Sequence, residues 1–197
     1  MSLILASRSA ARKAMLEAAG LTIELDPADV DESATKGRLL SEGGDARSVA
    51  MALAGEKALA VSRRRPGRLV LGADQTLEQD GTLHDKAASL DEARARLKIF
   101  SGQTHQLHSG AALARDGAVV WTLTDTATLK VRPLSDGFID GYLARNREAA
   151  LSSVGGYWLE GEGAQLFERV EGDYFTVLGL PLLPLMGFLR EIGELAA

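Results

Sequence analysis

Three observations predict an α/β fold built on a parallel or mixed β-sheet flanked by helices. The run Leu69-Val70-Leu71 is large and aliphatic without alternation, as a strand buried on both faces would be. Leu3 to Ala6 read as a second short buried strand, and a Ser7-Arg8-Ser9 turn leads from it straight into the helix formers Ala10 to Ala19. Strand and helix patterns then follow one another with no repeat, low-complexity tract or linker, so residues 1–197 are expected to form one domain.

Composition narrows the class of function. A chain of 197 residues that is 46% hydrophobic and 25% charged is ordinary for a soluble globular protein with a well-packed core. Zero cysteines exclude disulfides, thiolate metal sites and Cys nucleophiles, and they fit a reducing compartment. The start, Met1 to Arg8, has no basic segment and too short an apolar stretch for a signal peptide, so the chain reads as cytoplasmic. No apolar run approaches the roughly 20 residues of a membrane span. With 22 Lys+Arg against 27 Asp+Glu, the net charge of -5 argues against a broad nucleic-acid surface while leaving room for a small anion site.

The first strand, turn and helix make such a site. Ser7 or Ser9 can cap the helix, and its free N–H groups and dipole favour phosphate. Arg12 and Lys13 add positive charge in the first turns, where the dipole alone would prefer acids. Leu21 to Leu25 form the next strand. The acidic loop Asp29-Val30-Asp31-Glu32-Ser33 has the residues to hold a hard cation, but by residue type alone it fits capping of the following helix better. Asp45 to Arg63 is helical, with Val49, Leu53 and many alanines, and Lys57 lies within it. A helical lysine is ordinarily solvated, so its functional reading needs support from elsewhere. The three arginines that follow suit the C-terminal end of the helix dipole.

Val70 to Leu77 carry a lone acid, Asp74, toward the expected C-terminal end of a strand, where open α/β sheets place ligand-contacting groups. The same residues suit an Asx-turn, and the residues alone leave both readings open. A hairpin from Thr76 to His84 around Asp80-Gly81 would bring Lys86 back toward that end. Leu90 to Phe100 follow as a helix capped by Ser89 or Asp91, and Gln106 to Leu113 as a strand. His105 and His108, three apart on that strand, point to opposite faces and are rejected as a metal pair. Asp116-Gly117 makes a hairpin to Val119 to Leu123, Thr124 to Val131 extend the sheet with alternating character, and Ser135 to Arg145 form a helix. The glycine-dense Gly155 to Gly163 block fits either a close ligand loop or a bulged strand with aromatic packing. Gln165 to Val170 are expected as a strand, and Leu182 to Leu195 as an apolar core helix with a proline near its first turn.

In order along the chain, Leu5-Ala6-Ser7-Arg8-Ser9 with Arg12, Val30-Asp31-Glu32, Leu53-Ala54-Gly55-Glu56-Lys57-Ala58, Gly72-Ala73-Asp74-Gln75, Lys86, Ser101 to His105, Gly156 to Gly161, and Gly172-Asp173-Tyr174 with Val177 to Leu182 resemble the Maf family of nucleotide pyrophosphatases. Each piece alone is weak, and their common order over Leu3 to about Leu189 is specific. The resemblance implies an elongated mixed α/β fold with a central cleft, of the Maf and inosine triphosphatase type, and a homodimer in many members. It also implies hydrolysis of a nucleoside triphosphate to monophosphate and pyrophosphate with a divalent cation, Mg²⁺ or Mn²⁺.

Carried over by position, Asp74 matches the family's proposed proton acceptor, Glu32 an acid near the metal, and Lys57 and Lys86 the phosphate-facing lysines. Ser7, Ser9 and Arg12 match the first phosphate-contacting loop, beside Lys13. Glu32 and Asp74 are the metal candidates, and whether Asp74 acts as base or ligand stays open. Such a set suits the chemistry, since cations must offset phosphate charge while a carboxylate handles the attacking water. The substrate marks are Ala11, Gln75 and Glu160. Gln75 and Glu160 resemble members acting on 7-methyl-GTP, a house-cleaning substrate, whereas dTTP and UTP enzymes carry Thr and Gln there. A carboxylate suits guanine, whose N1–H and amine can both donate to it. Against this, Ala11 stands where those members usually carry an aromatic, Ser9-Ala10 replaces Ser-Pro, Ala87 replaces a Pro, and Gln103 replaces an Arg. The alternatives are a dTTP/UTP pyrophosphatase of the same family and a non-catalytic nucleotide-binding regulator linked to septum formation. An aspartyl phosphatase of the haloacid dehalogenase type would need a second Asp where Thr76 stands.

Overall fold

The computed structural model describes residues 2–196. Among them, seven strands and eight α-helices run in the order β1 (Ser2–Leu5), α1 (Ala10–Ala18), β2 (Thr22–Leu25), α2 (Glu32–Ser41), α3 (Ala46–Ser62), β3 (Val70–Gln79), β4 (Thr82–His84), α4 (Leu90–Phe100), β5 (Thr104–Arg115), β6 (Ala118–Val131), α5 (Asp136–Arg145), α6 (Arg147–Ser152), β7 (Phe167–Glu171), α7 (Tyr174–Val177) and α8 (Leu182–Glu191). The strands are hydrogen-bonded in the order β2-β1-β3-β5-β6-β7, with β4 paired to β3. β1 is parallel to β2 and β3, whereas the β3–β4 and β6–β7 pairs are antiparallel, so the sheet is mixed as expected. No helix among the described residues is long and apolar enough to cross a membrane.

Chain contacts define two compact units. The first comprises Met1–Gln75, His108–Thr126 and Asp173–Ala197, and the second Thr76–Leu107 and Ala127–Gly172. In the first unit the sheet is covered on both faces, which is why its strands lack alternation. On one face Leu3, Leu5, Leu71, Ala73, Ala111 and Leu113 pack with Met15 and Leu16 of α1 and with Leu182, Leu185 and Leu189 of α8. On the other face Ile4, Ala6 and Val70 meet Val61 of α3, while Ala112 and Ala114 meet Ala54 and Ala58.

Helix α3 lies against this second face with no side chain in between at two points. A Cβ built on Gly72 would lie 2.1 Å from the Ala54 carbonyl oxygen and 2.5 Å from the Ala58 nitrogen. One on Gly110 would lie 2.4 Å from the Ala50 carbonyl oxygen. Ala50, Ala54 and Ala58 recur every four residues and so form one stripe along α3, and the two glycines receive it.

The helix starts follow their caps. Ser9, Asp31, Asp45, Ser89, Ser135 and Asp173 each accept from a first-turn amide. The Asp80-Gly81 and Asp116-Gly117 turns have φ of 50° and 77°, and 51° and 75°, the doubly positive geometry of tight hairpins. Three expectations need correction. β3 does not end near Asp74 but runs on to Gln79, because β4 pairs with its second half. Glu162–Leu166 is a 3-10 turn, so the strand expected from Gln165 begins only at Phe167. Helix α8 stops at Glu191 rather than Leu195, because Gly193 turns with φ 74° and the Glu194 and Leu195 amides fold back onto the Leu189 carbonyl.

In the second unit, His105 is only 2% exposed and stacks on Phe100 at 4.8 Å, with Phe167 also alongside. Its Nε2 is 2.6 Å from the Tyr157 hydroxyl, and Nδ1 has no partner among the described residues. Burial first, and His84 second, lower its pKa from 6.5 to about 4. The unfolded chain therefore binds the extra proton between those two values, and stability falls as pH drops through that window. The expected loss from pH 6.5 to 4 is about 3 kcal/mol. Urea unfolding of wild type and His105→Phe across this range checks it. Wild type should show the steeper decline, and equal slopes would remove His105 as the cause.

Candidate active site

Asp74 and its neighbours acquire their roles from the alternation of a strand. Along β3, Val70, Gly72 and Asp74 face α3, while Leu71, Ala73 and Gln75 face the α1 and α8 side. Lys57 sits three residues after Ala54 in the alanine stripe, on the flank of α3 that meets the sheet. The contact of Gly72 with Ala54 and Ala58 therefore brings Lys57 to Asp74. The lysine Nζ donates to Asp74 Oδ1 at 2.6 Å. Both side chains are largely buried, at 10% and 13% exposure.

A second carboxylate completes the group. Asp31 caps α2 by accepting the Ala34 amide at 2.9 Å, which places Glu32 in the first turn. Glu32 Oε1 lies 2.7 Å from the same Lys57 Nζ, with its side chain more than half exposed. The Asp74 and Glu32 oxygens are thus no farther apart than the sum of their distances to that nitrogen. Asp74 Oδ2 and Glu32 Oε2 have no partner among the described residues. Among the described residues no group of three or more His, Asp or Glu side chains could hold a metal ion. Two carboxylates nevertheless fit a magnesium-like ion, which takes one or two protein carboxylates and completes its shell with substrate phosphates and water.

The turn after β1 supplies the positive charge. Ser9 caps α1 by accepting the Arg12 amide at 3.3 Å, and the Ser9 amide donates to Ser7 Oγ at 3.2 Å. The buried Arg12 guanidinium reaches back across this turn. Nη1 donates to Ser7 Oγ at 3.2 Å and to the Ala73 carbonyl at 3.0 Å, and Nε to the Gly179 carbonyl at 2.8 Å. Burial lowers its pKa from the ordinary arginine value, while the charges of Asp74 and Glu32 act in the opposite direction. Neither Arg12 Nη2 nor the Ala10 and Ala11 amides have an acceptor among the described residues, as an anion-binding helix start would require.

The unit thus brings together Ser7, Ser9, Arg12, Glu32, Lys57 and Asp74. Lys13 is less engaged, since it turns outward to pair with Glu17 at 3.4 Å. Ala11 is half-buried on α1. Gln75 faces away from Asp74, and its Nε2 is committed to Ser109 Oγ at 3.0 Å and to the Thr176 and Val177 carbonyls at 3.1 and 3.0 Å. Lys86 and Glu160 belong to the second unit, where both are exposed without a hydrogen bond or ion pair among the described residues. The sequence reading gave no role to Ser109, Thr176, Gly179 or Gly72. Only the last carried a local signal, a glycine interrupting an apolar strand.

The family described as Maf-like protein matches residues 2–192. A nucleoside triphosphate pyrophosphatase of Caulobacter vibrioides is 54% identical over 97% of this chain and 96% of its own. A 7-methyl-GTP pyrophosphatase of Mesorhizobium japonicum is 52% identical over 98% of this chain and 97% of its own. A nucleoside triphosphate pyrophosphatase of Granulibacter bethesdensis is 50% identical over 97% of both chains.

Proposed function

Because the chain belongs to the Maf family, we propose that it hydrolyses a nucleoside triphosphate to the monophosphate and pyrophosphate. The observation that carries this reading is the Lys57 ammonium held between Asp74 and Glu32, beside the buried Arg12. The names and near-complete coverage of the relatives support it.

The residues divide the work by charge. Lys57, Arg12 Nη2 and the first amides of α1 offset phosphate charge and hold the chain of phosphates in place. Asp74, fixed through Oδ1 by Lys57, keeps Oδ2 for the attacking water, which it orients or deprotonates. Glu32 and Asp74 would together hold the divalent cation, Mg²⁺ or Mn²⁺, which supplies Lewis-acid stabilisation of the phosphate oxygens. Lys86, an exposed cation, adds a further phosphate contact in this reading.

Base choice in this reading rests on Glu160 and favours 7-methyl-GTP over dTTP and UTP. Its carboxylate is exposed and unpaired among the described residues, so it is able to accept from the two donors of a guanine edge. A pyrimidine with one ring N–H between two carbonyls would leave it under-satisfied. Ala11 offers no ring to stack on the cationic methylated base, so discrimination from plain GTP is weak.

Two outcomes follow. Wild type should release pyrophosphate from its triphosphate substrate, and Asp74→Asn should lose more than about ten-fold in rate, beyond roughly 1.4 kcal/mol, while staying folded. Orthophosphate as sole product, or a nearly active Asp74→Asn, would contradict the mechanism. On 7-methyl-GTP, GTP, dTTP and UTP, the guanine nucleotides should lead by kcat/KM, and Glu160→Gln should move preference toward the pyrimidines. An unchanged ranking in that variant would show that Glu160 does not read the base.

A further inference from the structure

Gln75 is adjacent in sequence to Asp74 yet lies on the opposite face of β3, and the structure gives its amide other work. Its Nε2 faces three acceptors at once, Ser109 Oγ and the Thr176 and Val177 carbonyls, all within 3.1 Å. Two backbone carbonyls on one side also fix which end of the carboxamide is the nitrogen, since an oxygen there would meet two acceptors. Ser109, fully buried on β5, donates in turn to the Thr176 carbonyl at 2.7 Å. The same short segment is gripped from its other end. Asp173 caps α7 through the Phe175 and Thr176 amides, and Thr176 Oγ1 donates to Asp125 Oδ2 at 2.7 Å.

This segment leads directly to Gly179, whose carbonyl accepts from Arg12 Nε. Gly179 has φ +102°, and a Cβ there would lie 3.5 Å from Arg12 Nε and Nη2 and 3.7 Å from Gln75 Oε1. The guanidinium and the carboxamide therefore border the same backbone position from two sides. A buried guanidinium with one of its three anchors on a mobile carbonyl would aim its free Nη2 poorly.

We infer that Gln75 is a positioning residue, which clamps the α7–Gly179 segment onto β3 and thereby fixes Arg12 toward the substrate phosphates, and that it does not contact the base. This rests on the pyrophosphatase reading for its effect on turnover but not for the clamp itself. All base-pairing capacity of Nε2 is consumed within the protein. Loosening the clamp weakens the hold on phosphate, which every nucleotide carries, so the effect is uniform across bases. Asp74 and Lys57, on the other face, keep their contact.

The test uses Gln75→Met, which keeps the approximate bulk and removes the donors, and Ser109→Ala, which removes the shared hydroxyl from a position no nucleotide can touch. Each is measured for backbone amide exchange over residues 174–180 and for kcat and KM on 7-methyl-GTP, GTP, dTTP and UTP. The clamp predicts faster exchange in that segment in both variants. It predicts a rise in KM of about three- to ten-fold for all four nucleotides, as for loss of one or two buried hydrogen bonds, with kcat within about two-fold and the ranking unchanged. In an Arg12→Lys background, Gln75→Met should add little further rise in KM, because the residue it positions has gone. A changed ranking in Gln75→Met with exchange left as in wild type would overturn the inference and return Gln75 to base reading. If Gln75→Met does not fold, Ser109→Ala decides alone by the same exchange and KM criteria. A wild type that releases no pyrophosphate would refute the proposed activity, while the exchange result still decides the clamp.

Discussion

The approach of helix α3 to strand β3 is the constraint on which the site depends. An α-helix packs on a sheet at a distance set by the side chains between them, and here Gly72 and Gly110 contribute none against the alanine stripe. Backbone therefore meets backbone, and a lysine on the flank of the helix arrives at a carboxylate on the strand. With ordinary aliphatic residues at 72 and 110, the helix would sit higher and Lys57 would reach toward solvent. The site is thus a consequence of packing as much as of the charged residues themselves.

Alternation along β3 then separates two tasks. Asp74 faces α3 and pairs with Lys57, while Gln75 faces the other layer and joins Ser109, Thr176 and the Gly179 segment. Arg12 bridges them, anchored on Ser7, Ala73 and Gly179, with its charge felt alongside both carboxylates. A buried ion pair such as Lys57–Asp74 contributes little net stability, because desolvation offsets much of the attraction. Its retention in an otherwise aliphatic layer is better explained by what a fixed, partly satisfied carboxylate can do to water and phosphate.

Much of this was legible in the residues. Unalternating strands at Leu3 and Leu69 and the Asp80-Gly81 turn are local signals that appear where they were expected, and the caps fall within the residues expected for them, Ser9 of Ser7 or Ser9, Ser89 of Ser89 or Asp91, and Asp31 of the acidic loop. The joint presence of Ser7, Arg12, Glu32, Lys57 and Asp74 in one unit was implied by the order of the family motifs rather than by any spacing. The opposite facing of Asp74 and Gln75 follows from strand alternation, and reading the two as one motif obscured it. The network of Ser109, Thr176 and Asp125 was not legible, because it joins three segments far apart in the chain and leaves no periodic trace. The hairpin from Thr76 to His84 pairs as expected, but that its first arm and the Asp74 strand are one continuous strand, Val70–Gln79, was not legible, because nothing local to Asp74 shows that the chain passes through it without a turn.

The most direct measurement is turnover by Gly72→Ala at a temperature where the variant is shown to be folded. A single methyl group changes none of the charged residues, yet at 2.1 Å from the Ala54 carbonyl oxygen it must push α3 away from β3 and so part Lys57 from Asp74. The account predicts a fall in kcat/KM of at least about ten-fold in the folded protein, as small misplacements of a reacting group produce. A folded Gly72→Ala with wild-type turnover would contradict it, because the contact between helix and strand would then not be what places the chemistry.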